Sequence, residues 1–423
     1  MRPCGGWPAP FTWLPEEIRY RAEVRSRRQV FDSHLEPGLP PPEVGQVVFL
    51  SYTPPAGGPL ALAVHRNPGE AFYVSAVLEV LGDGDGIREE AEYNRQARRF
   101  GLFLYGLSKS AYLTTQVDLL SRTLPHDPHA YDRYLAARMP ADLPPLLRDS
   151  ALELADLTRH TAEQHRTFLV VRIPLGRELA AQAAAKGGGE DGLCRAVLAE
   201  LQAVAALAEA NALRVRWALG PKRLAALIRN TYDPDHALDN LSDAELSSCW
   251  PAYRNTREHL AIGRWYHAVA VVPAEAWPTT PVGIRFLDPL LTGIFPATIR
   301  TLAVSFPLVP RVVARSEAVA DHTLDRAAAL SLEPKGRISD GAEEAQSTAS
   351  SQRLHDLRHE EAAGVRPWTR LVVTARSPRE LAAARKRLED VAQDCGLASL
   401  EWVHTRHHHG LATCLPLARG VRA

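Results

Sequence analysis

The chain has 423 residues, enough for two or three domains with a sizeable core, and its 46% hydrophobic and 23% charged residues are an ordinary globular balance. Lysine plus arginine and aspartate plus glutamate both number 49, so the formal net charge is zero, which excludes a broad electrostatic grip on nucleic acid and leaves only a local patch open. The 5 cysteines are odd in number, widely spaced and without a CxxC pair, which excludes a disulfide framework or zinc ribbon and fits a reducing compartment.

From Met1 to Leu14 the chain carries prolines and glycines rather than the apolar core of a signal peptide. No window holds the roughly 18 uninterrupted apolar residues that a membrane span needs. The chain is therefore expected neither to cross a membrane nor to leave the cell by the standard route. Residues 1–45 read as an extended basic, Pro-rich arm: Arg19, Arg21, Arg25, Arg27 and Arg28 fall within it, and Pro37, Pro40, Pro41 and Pro42 forbid a sustained helix. One short basic helix over Glu16–Phe31 is compatible with the pattern.

Residues 46–235 read as a first α/β domain. Gln46–Tyr52 and Leu60–His65 are strands joined by a Pro-Pro-Ala-Gly-Gly turn, and Phe72–Val80 is a third. Gly82-Asp83-Gly84-Asp85-Gly86 is a flexible turn leading into an amphipathic helix over Glu89–Leu107, with Tyr93, Ala97, Phe100 and Leu104 at three-to-four spacing. Ala111–Leu120 reads as the next strand. Helices over His129–Arg138 and Pro144–His165 precede the apolar strand Thr167–Pro174. After Gly187-Gly188-Gly189 come helix Gly192–Ala210, strand Leu213–Leu219 and helix Pro221–Asn230.

Asp233 to Leu260 is loop-rich and marks the seam to a second α/β domain over 236–420. Strand Arg264–Val272 opens it, followed by the apolar segment Phe286–Ile294 and strand Ile299–Pro307. A helical hairpin insertion spans about 310–365, with helices Pro310–Leu332 and Arg353–Ala363 around a Ser/Gly/Glu-rich tip, Lys335–Gln352, that is expected to fray. Strand Arg370–Ala375 leads to a helix begun by the capping box Ser377–Glu380 with Pro378 at its first position. Leu381, Ala384, Leu388, Val391 and Ala392 form its buried stripe, and Gly396 stops it. Leu400–Val403 and Leu411–Leu417 read as closing strands. Thr167–Ile173, a helix and Asn211–Leu219 parallel Thr369–Ala375, a helix and Cys395–Val403. The expected fold class is therefore α/β (α+β), with two ferredoxin-like split β-α-β sets, about 60–230 and 260–420, and an inserted helical hairpin.

Chemistry is sparse. No phosphate-binding G-x-x-x-x-G-K-[ST] occurs, and the two aspartates of Gly82–Gly86 would repel an anion. His404, His407, His408 and His409 lie near Cys414, and imidazole and thiolate suit soft divalent metals. Consecutive histidines splay their rings, so a solvated loop between the last two strands is the expectation. His355 and His359 share a helical face without the H-E-x-x-H order and read as a solvated polar face. No G-x-S-x-G or Ser-x-x-Lys exists. Cys194 follows a Gly-rich loop, where a helix dipole can lower a thiol pKa, but its neighbours Leu193 and Val197 point to packing. Tyr131 and Tyr134 near His126 and His129 form an aromatic patch suited to docking. Glu89-Glu90 and Glu360-Glu361 are exposed helical charge. No catalytic, cofactor-binding or metal residue is assigned.

Several stretches, in order, carry a resemblance: Arg122-Thr123-Leu124-Pro125, His165-Arg166-Thr167-Phe168-Leu169-Val170-Val171, Leu227-Ile228-Arg229-Asn230-Thr231-Tyr232-Asp233-Pro234, Arg300-Thr301-Leu302-Ala303-Val304-Ser305-Phe306, Leu371–Ala375, the Ser377-Pro378 helix start, Leu388–Ala392 and Leu415-Pro416-Leu417-Ala418-Arg419-Gly420. Over about 46–420 the chain resembles a family of actinobacterial proteins encoded with conjugative-transfer, type IV secretion-like machinery. The resemblance implies a non-enzymatic component, similar to the amino-terminal, non-ATPase region of conjugation ATPases of the TraC/TrbE kind. It implies no cofactor and no small-molecule substrate. Its partners would be a secretion or conjugation ATPase and membrane subunits, with the chain cytoplasmic and peripheral to the inner face of the membrane. Relatives begin with hydrophobic membrane segments, whereas this chain begins with a polar arm. The alternatives are a metal-dependent enzyme using the His404–His409 loop and a DNA-handling accessory using Arg19–Arg28.

Overall fold

Among the described residues, the apolar, β-branched runs enter one mixed α/β architecture built on a fourteen-stranded antiparallel sheet. The computed structural model describes residues 10–35, 38–81, 89–125, 135, 137–140, 142–161, 163–239, 241, 243–278, 285–292, 299–332, 342–359 and 361–420. Among them, α1 (Pro10–Arg25) and β1 (Val30–Phe31) lie within the stretch expected as an extended arm. β1 pairs with β8 (Tyr253–Asn255), which ties it to the far end of the sheet.

The first half comprises β2 (Val47–Tyr52), β3 (Leu60–His65), β4 (Tyr73–Val80), α2 (Glu90–Leu107), β5 (Gln116–Pro125), α3 (Pro145–Thr161), β6 (Glu163–Pro174), α4 (Arg177–Ala185), α5 (Gly189–Ala210), β7 (Val215–Ala218) and α6 (Pro221–Tyr232). β6 lies between β4 and β5, so the strands flanking α2 are not neighbours. On its other edge β4 meets β3 near its start and β7 near its end, all antiparallel.

The second half repeats this plan. It runs β8, β9 (Leu260–Ile262), β10 (Trp265–Val272), α7 (Asp288–Leu291), β11 (Ile299–Val309), α8 (Arg311–Leu332), α9 (Ala342–His359), β12 (Gly364–Val365), β13 (Trp368–Ala375), α10 (Pro378–Asp394), β14 (Glu401–Trp402) and α11 (His407–Ala412). Here β13 lies between β10 and β11, and the other edge of β10 meets β9 and then β14. Helices are inserted at the same place in both halves: α3 before β6, and α8–α9 before β13. The halves join where β5 pairs antiparallel with β11, from Gln116 opposite Pro307 to Thr123 opposite Arg300.

Alternation along each strand divides side chains between two faces. Val117 and Leu119 of β5, with Val304 and Phe306 of β11, face α2, α4, α5 and α10. Leu120, Ala303, Val170, Val269 and Val372 face the opposite way, beneath α6, α11 and the segment Leu411–Ala418.

Some expectations are corrected. The strand expected at 111–120 is β5, five residues later, because Gln116, Asp118 and Arg122 form its polar but buried side. The expected strand Leu411–Leu417 is instead the end of α11 and a non-repeating strap. Residues 342–352, expected to fray, are helical in α9. α4 replaces part of an expected loop, and the helix expected to reach His165 ends at Thr161. α10 follows its reading: the Glu380 N–H donates to Ser377 Oγ at 3.2 Å, Leu381, Ala384, Leu388 and Ala392 are buried, and Gly396 takes φ of 78°. Replacing Ser377 with alanine leaves that first-turn N–H without its acceptor, and urea unfolding should show a loss of about 1 kcal/mol.

Candidate functional site

The histidine segment does not form a solvated loop. Residues 407–412 form α11, wedged against β10, with His407 fully buried and His408 nearly so. The Val269 N–H donates to His407 Nδ1 at 3.2 Å, and the His408 N–H donates to Asn255 Oδ1 at 3.3 Å. Burial, followed by nearby Arg385 for His407 and by His409 for His408, lowers both imidazoles to about 3. Cys414 is buried beneath the sheet, and burial raises its thiol pKa. Among the described residues, no three His, Cys, Asp or Glu side chains are placed to hold a metal ion.

The remaining candidates are dispersed. Cys194 packs into the core under α5, and burial, then Asp191 and Glu190, raises its thiol pKa, as the packing reading requires. His355 is exposed on α9. Gly82–Gly86, Tyr131, Tyr134, His126 and His129 lie outside the described residues. Arg19, Arg21 and Arg25 are on α1, and α1 is tied to the second half through the Glu17–Arg257 ion pair and the Arg257 guanidinium over Tyr20.

Several of the quoted stretches meet instead at the seam between the halves. Arg122 of β5 is buried and donates to Thr301 Oγ1 of β11 at 2.8 Å, to Asn230 O at 2.9 Å and to Asn230 Oδ1 at 2.6 Å. The carbonyl of Tyr232 can only accept, so His267 Nε2 carries the proton across 2.9 Å and Nδ1 accepts from the Thr374 hydroxyl. The last turn of α6 is thus held by Arg122 from the first half and His267 from the second, which satisfies carbonyls that a helix end leaves open.

The strap after α11 is held the same way. Arg370 of β13 donates to Thr413 O at 2.6 Å and to Ser305 Oγ. From the first half, Tyr73 Oη donates to Leu417 O and Arg172 Nη1 to Ala418 O, each at 3.4 Å. Asp118 sits fully buried within this row, accepting from Gln116 Nε2 at 2.8 Å; burial raises its carboxyl pKa, against the lowering pull of Arg370. These groups contact one another and backbone carbonyls, and so tie the two halves together. Arg122 stands in a quoted motif, but the burial of Arg122, His267 and Arg370 is not legible in the sequence, because alternation alone assigns a polar residue on an apolar strand to solvent.

Exposed apolar side chains mark a different region. On the hairpin, Ala314 and Ala318 of α8 pack against Leu354 and Leu357 of α9, while Val312 and Leu324 are 81% and 69% exposed. Its base is fixed by Arg311, which donates to Tyr105 Oη of α2 at 2.8 Å, and by Arg315, which donates to Leu357 O at 2.7 Å. A cavity of about 610 Å³ lies beside this base, between Gly101 and Leu104 of α2 and Ala362 to Val365. α3 carries further exposed leucines.

No protein-family model matches the chain, and no curated protein matches it either. Among the described residues, no helix is long and apolar enough to cross a membrane.

Proposed function

We propose that the protein is a non-enzymatic adaptor or structural component of a conjugative or type IV-like secretion apparatus, at the cytoplasmic face of the membrane, docking to the secretion ATPase and membrane subunits. The carrying observation is that exposed large apolar side chains sit on helices inserted at equivalent points of the two halves, while several of the stretches that carry the resemblance lie at the buried seam. Exposed large apolar side chains concentrated on one element are characteristic of interaction sites. Each half is read as a ferredoxin-like split β-α-β set, supported by the antiparallel orders β7-β4-β6-β5 and β14-β10-β13-β11.

The α8–α9 hairpin is the proposed contact with the ATPase. In cells that express both proteins, the wild-type chain should co-purify with the ATPase. A Val312→Asp, Leu324→Asp double variant should lose about tenfold or more of that recovery, because a charge on each apolar anchor opposes its burial. Both positions face solvent, so its thermal midpoint should match wild type. A wild-type chain that captures neither the ATPase nor a membrane subunit would sink the reading.

A further inference from the structure

α3 has an exposed apolar side with a defined electrostatic border. Leu146, Leu147, Leu154 and Leu157 are 79%, 55%, 56% and 59% exposed, whereas Ala155 is buried against the body of the protein. At about 100° per residue the four leucines fall within one arc of about 100° along the helix. Asp149 and Glu153, both exposed, occupy the adjoining arc on the side away from Ala151 and Ala155, and Leu152, 52% exposed, lies beyond them. A leucine stripe with an acidic edge is therefore presented outward on a helix of 17 residues.

That edge decides between occupants. In an antiparallel pair related by a two-fold axis, residues flanking a stripe on one side meet their own images, so a second copy would set these carboxylates against themselves. An anionic lipid surface would meet the same repulsion. A helix with lysine or arginine beside its apolar face would instead bury the leucines and neutralise the edge.

We propose that the leucine stripe of α3 is the docking surface for an amphipathic helix of a partner subunit whose apolar face is bordered by basic residues. The proposal rests on the reading of the chain as a docking component, and it names the chemistry of one partner.

The test uses the intact protein and two labelled helical peptides, one of leucine and lysine and one with glutamate replacing every lysine, followed by fluorescence anisotropy. The lysine peptide should bind at least about tenfold more tightly, a difference of about 1.4 kcal/mol. Leu147→Gln with Leu154→Gln should remove most of that binding with an unchanged melting profile. Asp149→Lys with Glu153→Lys should transfer the preference to the glutamate peptide, an outcome general stickiness does not produce. Equal binding of the two peptides, or wild-type binding by the leucine variant, overturns the proposal. A dimer in light scattering, or binding to phosphatidylglycerol vesicles, that the leucine variant abolishes would overturn it too by assigning the stripe to another occupant. If the leucine variant still co-purifies with every apparatus partner, this surface is eliminated and the adaptor reading stands. If the wild type binds the lysine peptide selectively but captures no apparatus subunit, the adaptor reading fails and the surface stands.

Discussion

Replacing Arg370 with methionine should destabilise the protein by about 2–4 kcal/mol, because a buried cation that donates two hydrogen bonds is removed and its acceptors are left stranded. Arg370 has no exposed surface, and its guanidinium bridges β11, through Ser305, to the carbonyl of Thr413 in the strap. Methionine fills much of the same volume, so the loss is electrostatic rather than a cavity. It strands the Thr413 carbonyl and leaves the buried Asp118 without the cation that opposes its desolvation. Asp118→Asn in the same chain removes the stranded charge and should recover about 1–2 kcal/mol, so a double-mutant cycle should show coupling between the two sites. Urea unfolding of the wild type, both single variants and the double variant measures this. A loss below about 1 kcal/mol for the methionine variant, or strictly additive effects, would show that the strap is held by apolar packing alone.

This seam also marks the limit of what local pattern reveals. α10 is legible because each of its signals is short-range: Ser377 and Glu380 at the start, a stripe at three-to-four spacing, and Gly396 in the left-handed region at the end. β2, β3 and β4 are legible for the same reason. That β6 enters between β4 and β5 depends on contacts between distant residues and leaves no mark on any single strand. Leu411–Leu417 misleads because a strap covered on all sides has no periodic face, and its apolar run reads as a strand. The histidines mislead differently. Composition favours solvent for a polar run, yet an imidazole can stay neutral in a core when its nitrogens find partners, as both do in His267. The exposed leucines of α3 were written plainly in the sequence, but only the position of Ala155 tells which side of the helix is left outward.

Those histidines make acid lability the second large effect expected. Burial, first among the causes, lowers His65, His267, His407 and His408 to about 3 and His409 to about 4. Geometry agrees with these directions. His407 Nδ1 accepts from the Val269 N–H, which a protonated ring would confront with a second donor, and His65 stacks on Tyr73, beneath the Arg172 guanidinium. In the unfolded chain these rings titrate near about 6.5. Below that pH the unfolded state therefore binds protons that the folded state refuses, and stability falls as pH falls, by up to about 1.4 kcal/mol per pH unit for each ring. Glu43 acts in the opposite sense. Burial raises its carboxyl from 4.5 to about 7, so between those values the folded state holds a proton that the unfolded state releases, and acidification returns some stability. One carboxyl offsets about one ring, and the buried Asp118, also raised, offsets in the same direction. The histidines remain in the majority. Stability from urea unfolding should be flat between about pH 7 and 8 and drop by several kcal/mol between about pH 6.5 and 5. His267→Gln keeps a donor for Tyr232 O without a titrating ring, and should lower that slope by about one proton while costing stability at neutral pH. Equal midpoints at about pH 7.5 and 5.5 would mean that the buried rings find compensation on protonation, and the neutral core assigned to α11 would be wrong.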